Sequence, residues 1–131
     1  MERDVETIKE LYAAFEQRYE KRIVPLFSPE IEIVQSAELP WGGHYRGHTG
    51  LAEFLKKLLG HLDSRVVIEK FIDAGEHVVA IGSTIGKTRA TNIEFDVPVV
   101  HVWTVREGQI VRFQPFIDNA TMLAALEINR V

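Results

Sequence analysis

The sequence predicts an α+β domain in which helices pack on one face of a curved antiparallel sheet. Two amphipathic segments lie in the first half of the chain, and four segments rich in Val, Ile, Phe and Trp follow one another after them. Consecutive strands joined by short turns pair with their neighbours, so the helices and the sheet separate into two layers. The 131 residues and 46% hydrophobic content fit one domain, residues 1–131, with a full core.

Composition argues against several classes of function. The net charge is -4 with dispersed Lys and Arg, which argues against a nucleic-acid partner held by a basic face. No apolar run is long enough to span a bilayer, and the start Met1-Glu2-Arg3-Asp4 is unlike a signal peptide. The absence of cysteine removes disulfides, thiolate nucleophiles and Cys-based metal sites. We therefore expect a cytoplasmic protein without nucleic-acid or membrane partners.

The first half of the chain alternates helix and strand signals. Apolar residues recur at intervals of three and four from Val5 to Tyr19, which predicts an amphipathic helix. A short helical turn is expected next, ended by Ser28-Pro29. Glu30 to Ser36 alternates as a strand does, with Ile31, Ile33 and Gln35 on one side.

The glycines of Ala37 to Gly47 predict a loop, although this stretch carries Trp41 and Tyr45. Those aromatic rings either plug the mouth of the core or line a ligand entrance. A second amphipathic helix is predicted from Leu51 to Leu62, with Thr49 as its N-cap.

The second half predicts a sheet of consecutive hairpins. Strands are expected at Arg65 to Asp73, at His77 to Thr88, and from near Ile93 into the hairpin Val97 to Asp118, with a closing helix over Asn119 to Ile128. Both faces of Val97 to Val105 are apolar, and no second layer of helices remains to cover the outer one. We therefore expect a homodimer through the outer face of the sheet.

The register of the last hairpin decides which side chains meet. A two-residue turn at Glu107-Gly108 sets His101 opposite Gln114 and Val99 opposite Phe116, on one face. A type I turn with a Gly108 bulge would flip one strand relative to the other. We favour the first register, in which His101 and Asp118 lie about 13 Å apart and contact opposite ends of one ligand.

Asp118 and His101 each allow two interpretations. Asp118 beside Phe116 and Ile117 could be a desolvated general base with a raised pKa, or it could cap the closing helix and have a lowered one; capping is the commoner use of Asp before a helix. His101 could polarise a carbonyl or satisfy a core hydrogen bond with Gln114, which is commoner for a lone histidine. His44 and His48 are four apart but lie in a glycine-rich loop without a carboxylate cluster or a second such pair, so we expect no metal. No glycine-rich phosphate loop follows a strand, and we expect no cofactor.

Three stretches resemble a known family. They are Leu11-Tyr12-Ala13-Ala14-Phe15, the loop Gly42 to Gly47 before a helix, and the ending from His101-Val102-Trp103 through Glu107-Gly108-Gln109-Ile110 to Asp118. Together they make the chain similar to the nuclear transport factor 2-like superfamily, in its SnoaL-like polyketide cyclase and ketosteroid isomerase-like branch. The resemblance implies a cone-shaped barrel of helices and bent sheet with one deep apolar pocket, commonly in a dimer.

The resemblance also implies roles for single residues. Asp118 falls where the cyclases have an aspartate as general acid/base, and Tyr12 falls where the isomerases have a tyrosine that donates to the substrate oxygen. The isomerase base falls near Gln35 and its oxyanion-holding acid at Val100, so that set is absent. The same family places the residue before His101, rather than His101 itself, in the pocket.

We therefore expect a cofactor-independent acid/base enzyme, of cyclase or isomerase type, acting next to a carbonyl of a small apolar, polyketide-like or cyclic substrate. Asp118 would move the proton, and His101 or Tyr12 would stabilise the oxyanion. The alternative is a protein of the same fold that binds a small apolar ligand without catalysis, and an inward, unpaired Asp118 would favour the enzyme. The expected ligand contacts are Phe15, Trp41, Tyr45, Phe54, Leu58, Trp103, Gln114 and Phe116.

Overall fold

The structure, a computed structural model, describes residues 2–18 and 20–127 and has the expected α+β architecture. Its helices are α1 (Glu2–Glu16), α2 (Glu20–Ile23), α3 (Gly47–His61) and α4 (Asn119–Ala125), with a 3-10 turn at Val24–Leu26. Its strands are β1 (Phe27–Gln35), β2 (Gly43–Arg46), β3 (Leu62–Ala74), β4 (His77–Thr88), β5 (Glu94–Arg106) and β6 (Gln109–Ile117). They form one curved, unclosed sheet in the order β2-β1-β6-β5-β4-β3.

The sheet is mixed rather than wholly antiparallel, which corrects the expectation at one strand pair. β1 runs parallel to β6, while the other neighbouring strands are antiparallel. Parallel neighbours need a long connection between them, and the whole stretch from β2 to β5 supplies it. The pairing brings the end of β1 beside the last hairpin.

The core lies between the helices and the inner face of the sheet. Ile8 and Leu11 of α1 and Leu51 and Phe54 of α3 are buried against it. Along β5 burial alternates, with the inward residues Val97, Val99, His101, Trp103 and Val105 all buried. Among the described helices, none has the length and apolar character needed to cross a bilayer.

Several predicted boundaries need correction. α1 begins earlier than expected and ends at Glu16, because Arg18 adopts a left-handed φ of 55°; Tyr19 lies outside the described residues. α3 begins at Gly47, so Thr49 is inside the helix and is not its N-cap. α4 ends at Ala125, and Ile128 is also outside the described residues.

The stretch predicted as a loop contains the edge strand β2. Tyr45 on β2 pairs with Ile33 on β1. The glycines on either side of this four-residue strand hid it from the pattern, since glycine weakens a strand signal. β1 also begins before Ser28-Pro29, at a point where its pairing with β6 is irregular and a proline is tolerated.

Two glycines of β4 set the bend of the sheet. A Cβ on Gly82 would lie 1.9 Å from the carbonyl oxygen of Val67, and one on Gly86 would lie 2.1 Å from that of Asp63. The backbone of β3 therefore folds closely over β4 at positions where any side chain would collide. This bend turns the inner face of the sheet into a concave wall.

We predict that Gly82→Ala destabilises the protein by about 3 kcal/mol, because the added methyl must push two strand backbones apart. Gly60→Ala is the matched control, since Gly60 lies on α3 with nothing within 4 Å of an added Cβ. It should be neutral or stabilising by up to about 1 kcal/mol through helix propensity. Urea unfolding measures both, and equal midpoints for the two variants would contradict the close strand approach.

Candidate functional site

A cavity of about 510 Å³ lies between α1, α3 and the concave face of the sheet. Five of the expected ligand contacts line it, namely Phe15, Trp41, Phe54, Leu58 and Trp103. Exposed residues surround one side of it, where the end of α1 meets the start of β3, and Arg65 there forms an ion pair with Glu16. The cavity is thus an apolar chamber with a charged mouth.

The floor of the cavity is set by the last hairpin. Arg106 pairs with Gln109, and Glu107 and Gly108 have φ values of 52° and 77°, so the expected two-residue turn is confirmed. Val111 then makes a bulge between the pairs Val105–Ile110 and Thr104–Arg112. Beyond the bulge the register is shifted by one residue, as one extra residue in a strand requires.

The bulge reverses the predicted facing of β6. His101 lies opposite Pro115 rather than Gln114. Phe113, Pro115 and Ile117 line the cavity, whereas Phe116 is 49% exposed and Gln114 does not line the cavity. Gln114 and Phe116, both expected as ligand contacts, therefore lie away from the cavity. The sequence did indicate this facing, because the polar residues Arg112 and Gln114 alternate with the inward residues Phe113, Pro115 and Ile117.

His101 faces the cavity, as the residue pattern predicted. It is 7% exposed and lines the chamber, while Val100 before it is 36% exposed on the outer face. The placement implied by the family resemblance, with the preceding residue inward, is wrong for this chain. Strand alternation explains the difference, because Val99, His101 and Trp103 share one side of β5.

Tyr12, His101 and Trp103 form a hydrogen-bonded group at the inner end of the cavity. The Tyr12 hydroxyl oxygen lies 2.6 Å from Nδ1 of His101, and the Trp103 indole N–H donates to the same oxygen over 2.9 Å. The Tyr12 and His101 rings are stacked, with an interplanar angle of 9°. α1 thereby places its tyrosine against two neighbouring inward residues of β5.

The proton positions are assigned from this arrangement. Tyr12 has no other acceptor for its O–H in the described part of the chain, so its O–H is assigned as the donor to Nδ1 of His101 and the imidazole proton to Nε2. Nε2 has no hydrogen-bond partner among residues 2–18 and 20–127. Burial lowers the pKa of His101 from 6.5 to about 4, and it raises the pKa of Tyr12. The group is neutral at neutral pH and offers the cavity one N–H donor.

Asp118 lies outside the cavity and caps α4. One carboxylate oxygen accepts the backbone N–H of Thr121 at 3.1 Å, and the other accepts its hydroxyl at 2.8 Å. The Thr121 hydroxyl, and next its backbone N–H, hold the pKa of this exposed carboxyl below its usual value. Asp118 is therefore placed as a helix cap, and its position does not fit a general base beside a ligand in the cavity.

Tyr45 is buried but does not line the cavity. Its hydroxyl donates to the backbone carbonyls of Trp41 and Gly42, each at 3.0 Å, and its ring packs on Phe54. It therefore plugs the core beside the chamber, while Trp41 of the same stretch reaches the lining.

Two buried polar residues of the lining, Gln35 and Thr84, were not among the expected ligand contacts. Gln35 lies on the same face as Ile31 and Ile33, as the alternation of the strand predicted. The carboxylates of the lining are Glu16 and Asp63, both exposed at the mouth. Within the described ranges, no group of three or more His, Cys, Asp or Glu side chains could hold a metal ion.

A curved sheet with helices across its concave face and a cavity between the two layers defines the class of protein. Residues 8–113 match the SnoaL-like domain family, and the chain belongs to it. No curated protein matches the chain.

Solved structures share this fold over nearly the whole chain. A nuclear transport factor 2-like protein of unknown function from Burkholderia pseudomallei is 25% identical, with a TM-score of 0.89 over 96% of this chain and 98% of that one. TerC, co-crystallised with polyporic acid, is 28% identical, with a TM-score of 0.87 over 95% and 98%. A SnoaL-like polyketide cyclase homologue from Jannaschia, at 18% identity and a TM-score of 0.85 over 98% and 94%, shows the fold alone.

We predict that His101 makes the protein less stable as the pH falls. In the unfolded chain this imidazole takes a proton below pH 6.5, while the folded one stays neutral until about pH 4. The unfolding free energy should therefore drop by about 2 kcal/mol between pH 7 and pH 5 through His101 alone. Urea unfolding at both pH values measures the drop.

The variant His101→Phe should lose this part of the pH dependence. The exposed His77, replaced in the same way, is the matched control and should retain it. An equal drop in the wild type and His101→Phe would show that the imidazole is not held neutral by burial.

Proposed function

We propose that the cavity binds a small, largely apolar cyclic molecule through an oxygen atom that accepts a hydrogen bond from Nε2 of His101. The observation that carries this proposal is the neutral Tyr12–His101–Trp103 group, whose one unused donor belongs to a residue of the chamber wall. Aromatic and aliphatic walls with a few polar groups are typical of small-molecule sites. A carbonyl oxygen suits a neutral N–H donor in such surroundings.

One related structure supports a small-molecule ligand, since TerC, 28% identical to this chain, was co-crystallised with polyporic acid. In this chain, a ring compound with a carbonyl oxygen would place its apolar body against Phe54 and Trp103 and its oxygen at His101.

A second candidate is catalysis on that same carbonyl compound, of cyclase or isomerase type. A histidine kept neutral by burial can act as an electrophile, since its N–H strengthens its bond to a carbonyl oxygen that becomes an enolate. The lowered pKa of His101 favours this role. The expected base, Asp118, is a helix cap, so the proton would go to Glu16, Asp63 or solvent at the mouth. We therefore rank binding first and catalysis second.

We predict that α-tetralone, a bicyclic ketone, binds about tenfold more tightly than tetralin, the hydrocarbon without its oxygen. One hydrogen bond to the ketone accounts for a difference of this size. Quenching of tryptophan fluorescence measures both affinities, since Trp41 and Trp103 line the cavity. His101→Phe should remove the preference, and the outer-face control His77→Phe should keep it. Equal affinities in the wild type would overturn the proposal.

The same ketone separates binding from catalysis. In deuterated water, proton NMR follows exchange of the hydrogens next to the carbonyl. If the wild type accelerates this exchange and His101→Phe does not, the protein catalyses proton removal. If the wild type binds the ketone saturably without accelerating exchange, binding without catalysis is supported.

We also propose that two copies pair through the outer face of the sheet. Ile81, Val100 and Phe116 lie side by side on β4, β5 and β6, and Val100 and Phe116 are 36% and 49% exposed. Val79 and Val102 form a second apolar pair next to them. An apolar patch of this kind on a twofold axis is self-complementary and loses its water contact on pairing.

The dimer prediction is tested by sedimentation at micromolar concentration. The wild type should have twice the monomer mass, and Phe116→Asp should be monomeric because it puts a charge on the most exposed residue of the apolar patch. Ala90→Asp adds the same charge at an exposed turn and should leave the mass unchanged. A monomeric wild type would rule out this interface.

A further inference from the structure

Gln35, the last residue of β1, carries an unused hydrogen-bonding group in the cavity wall. It is 5% exposed and lines the chamber on the same face as Ile31 and Ile33. Its side-chain amide nitrogen is buried and has no hydrogen-bond partner in the described part of the chain. Buried polar groups without partners cost free energy and are uncommon in native proteins. That nitrogen has almost no accessible surface, so a ligand atom bonds it on the side that lines the chamber, after rotation about the last side-chain bond exchanges the amide nitrogen and oxygen.

The sheet register sets the position of Gln35 relative to His101. His101 lies opposite Pro115, and Ile33 beside Phe113 is the last pair of the parallel β1–β6 ladder. Gln35 follows two residues later, so an unchanged register sets it beside Pro115, two strands from His101 and about 10 Å away between Cα atoms. The side chain between them belongs to Pro115, which has no polar atom. Two polar groups thus face the chamber across an apolar strip.

We propose that the ligand carries two oxygen functions on opposite sides of its ring system, one bound by His101 and the other by the amide of Gln35. The contact at His101 rests on the proposed function, and the contact at Gln35 adds to it. The chemical class is then narrower than an apolar ketone: cyclic diketones, quinones and hydroxyketones can bond at both points. The ring between the two oxygens lies on Pro115 and against Phe113.

Gln35 in this arrangement determines specificity. A ketone with one oxygen gives the amide no partner in the complex, whereas a second oxygen satisfies it. A site built to hydrogen-bond a substrate group discriminates against the analogue that lacks the group, because the polar atoms of the protein then stay unpaired.

The test compares α-tetralone with the derivative that carries a hydroxyl group on the ring carbon directly across from the carbonyl carbon. The wild type should bind the hydroxylated ketone about tenfold more tightly, the effect of one additional hydrogen bond. In Gln35→Met, which keeps the length of the side chain but has no amide, the ratio of the two affinities should fall to about one. Gln114→Met is the matched control on β6 outside the cavity and should keep the wild-type ratio.

Unfolding provides a second readout that does not depend on a ligand. Because the Gln35 amide is unpaired, Gln35→Met should unfold at the same or a higher urea concentration than the wild type. A lower midpoint would mean that the protein itself satisfies the amide, and this outcome would overturn the proposal.

The outcomes separate this inference from the proposed function. Equal affinities of the wild type for the two ketones, or a preference that survives in Gln35→Met, would overturn the contact at Gln35 while α-tetralone binding stands. Failure of both ketones to bind would overturn the proposed function, and the two-oxygen ligand with it.

Discussion

The close approach of the β3 backbone to Gly82 and Gly86 is the constraint on which the rest of this structure depends. At both glycines the strand backbones come nearer than a Cβ would allow. A sheet that bends this sharply presents a concave face, and helices laid across it cannot fill the hollow completely. The cavity lies in this hollow, and Gly86 is part of its lining.

The bulge at Val111 determines what that concave face carries. It places Phe113 on the inner side, where its ring stacks on Trp103 at a centroid distance of 3.9 Å. It also moves Gln114 and Phe116 away from the cavity. Side chains alternate along a strand with a period of two, so one extra residue changes which side chains of β6 face the cavity.

Sequence patterns predicted those parts of the fold that depend on local periodicity. The bounds of β4 and the existence of α1 and α3 follow from repeated apolar spacing, and β2 was missed because glycines surround its four residues. The bulge, and the hydrogen bond that joins Tyr12 to His101 across 89 residues of chain, depend on tertiary geometry that no local pattern contains. The family resemblance named Tyr12, which lines the cavity with its hydroxyl bonded to His101 and Trp103.

Asp118 shows how one residue can support two interpretations from sequence. Its apolar neighbours suggested desolvation, but Thr121, three residues later, is placed to meet an N-cap carboxylate. The local hydrogen bonds form within one turn and need no long-range contact. A capping partner at that spacing was therefore the stronger signal, and the apolar neighbours alone did not determine where the carboxylate points.

The interior of the cavity disfavours charge, and this limits the chemistry that it can support. Burial keeps both His101 and Tyr12 neutral by moving their pKa values in opposite directions, while the charged lining residues remain exposed at the mouth. A ligand that enters must leave its water behind and regains only neutral hydrogen bonds, so a ketone is accepted at lower cost than a carboxylate. Catalysis in such a chamber would depend on polarising a carbonyl with a fixed N–H donor. The proton removed next to that carbonyl would have to leave towards the mouth, where the carboxylates are.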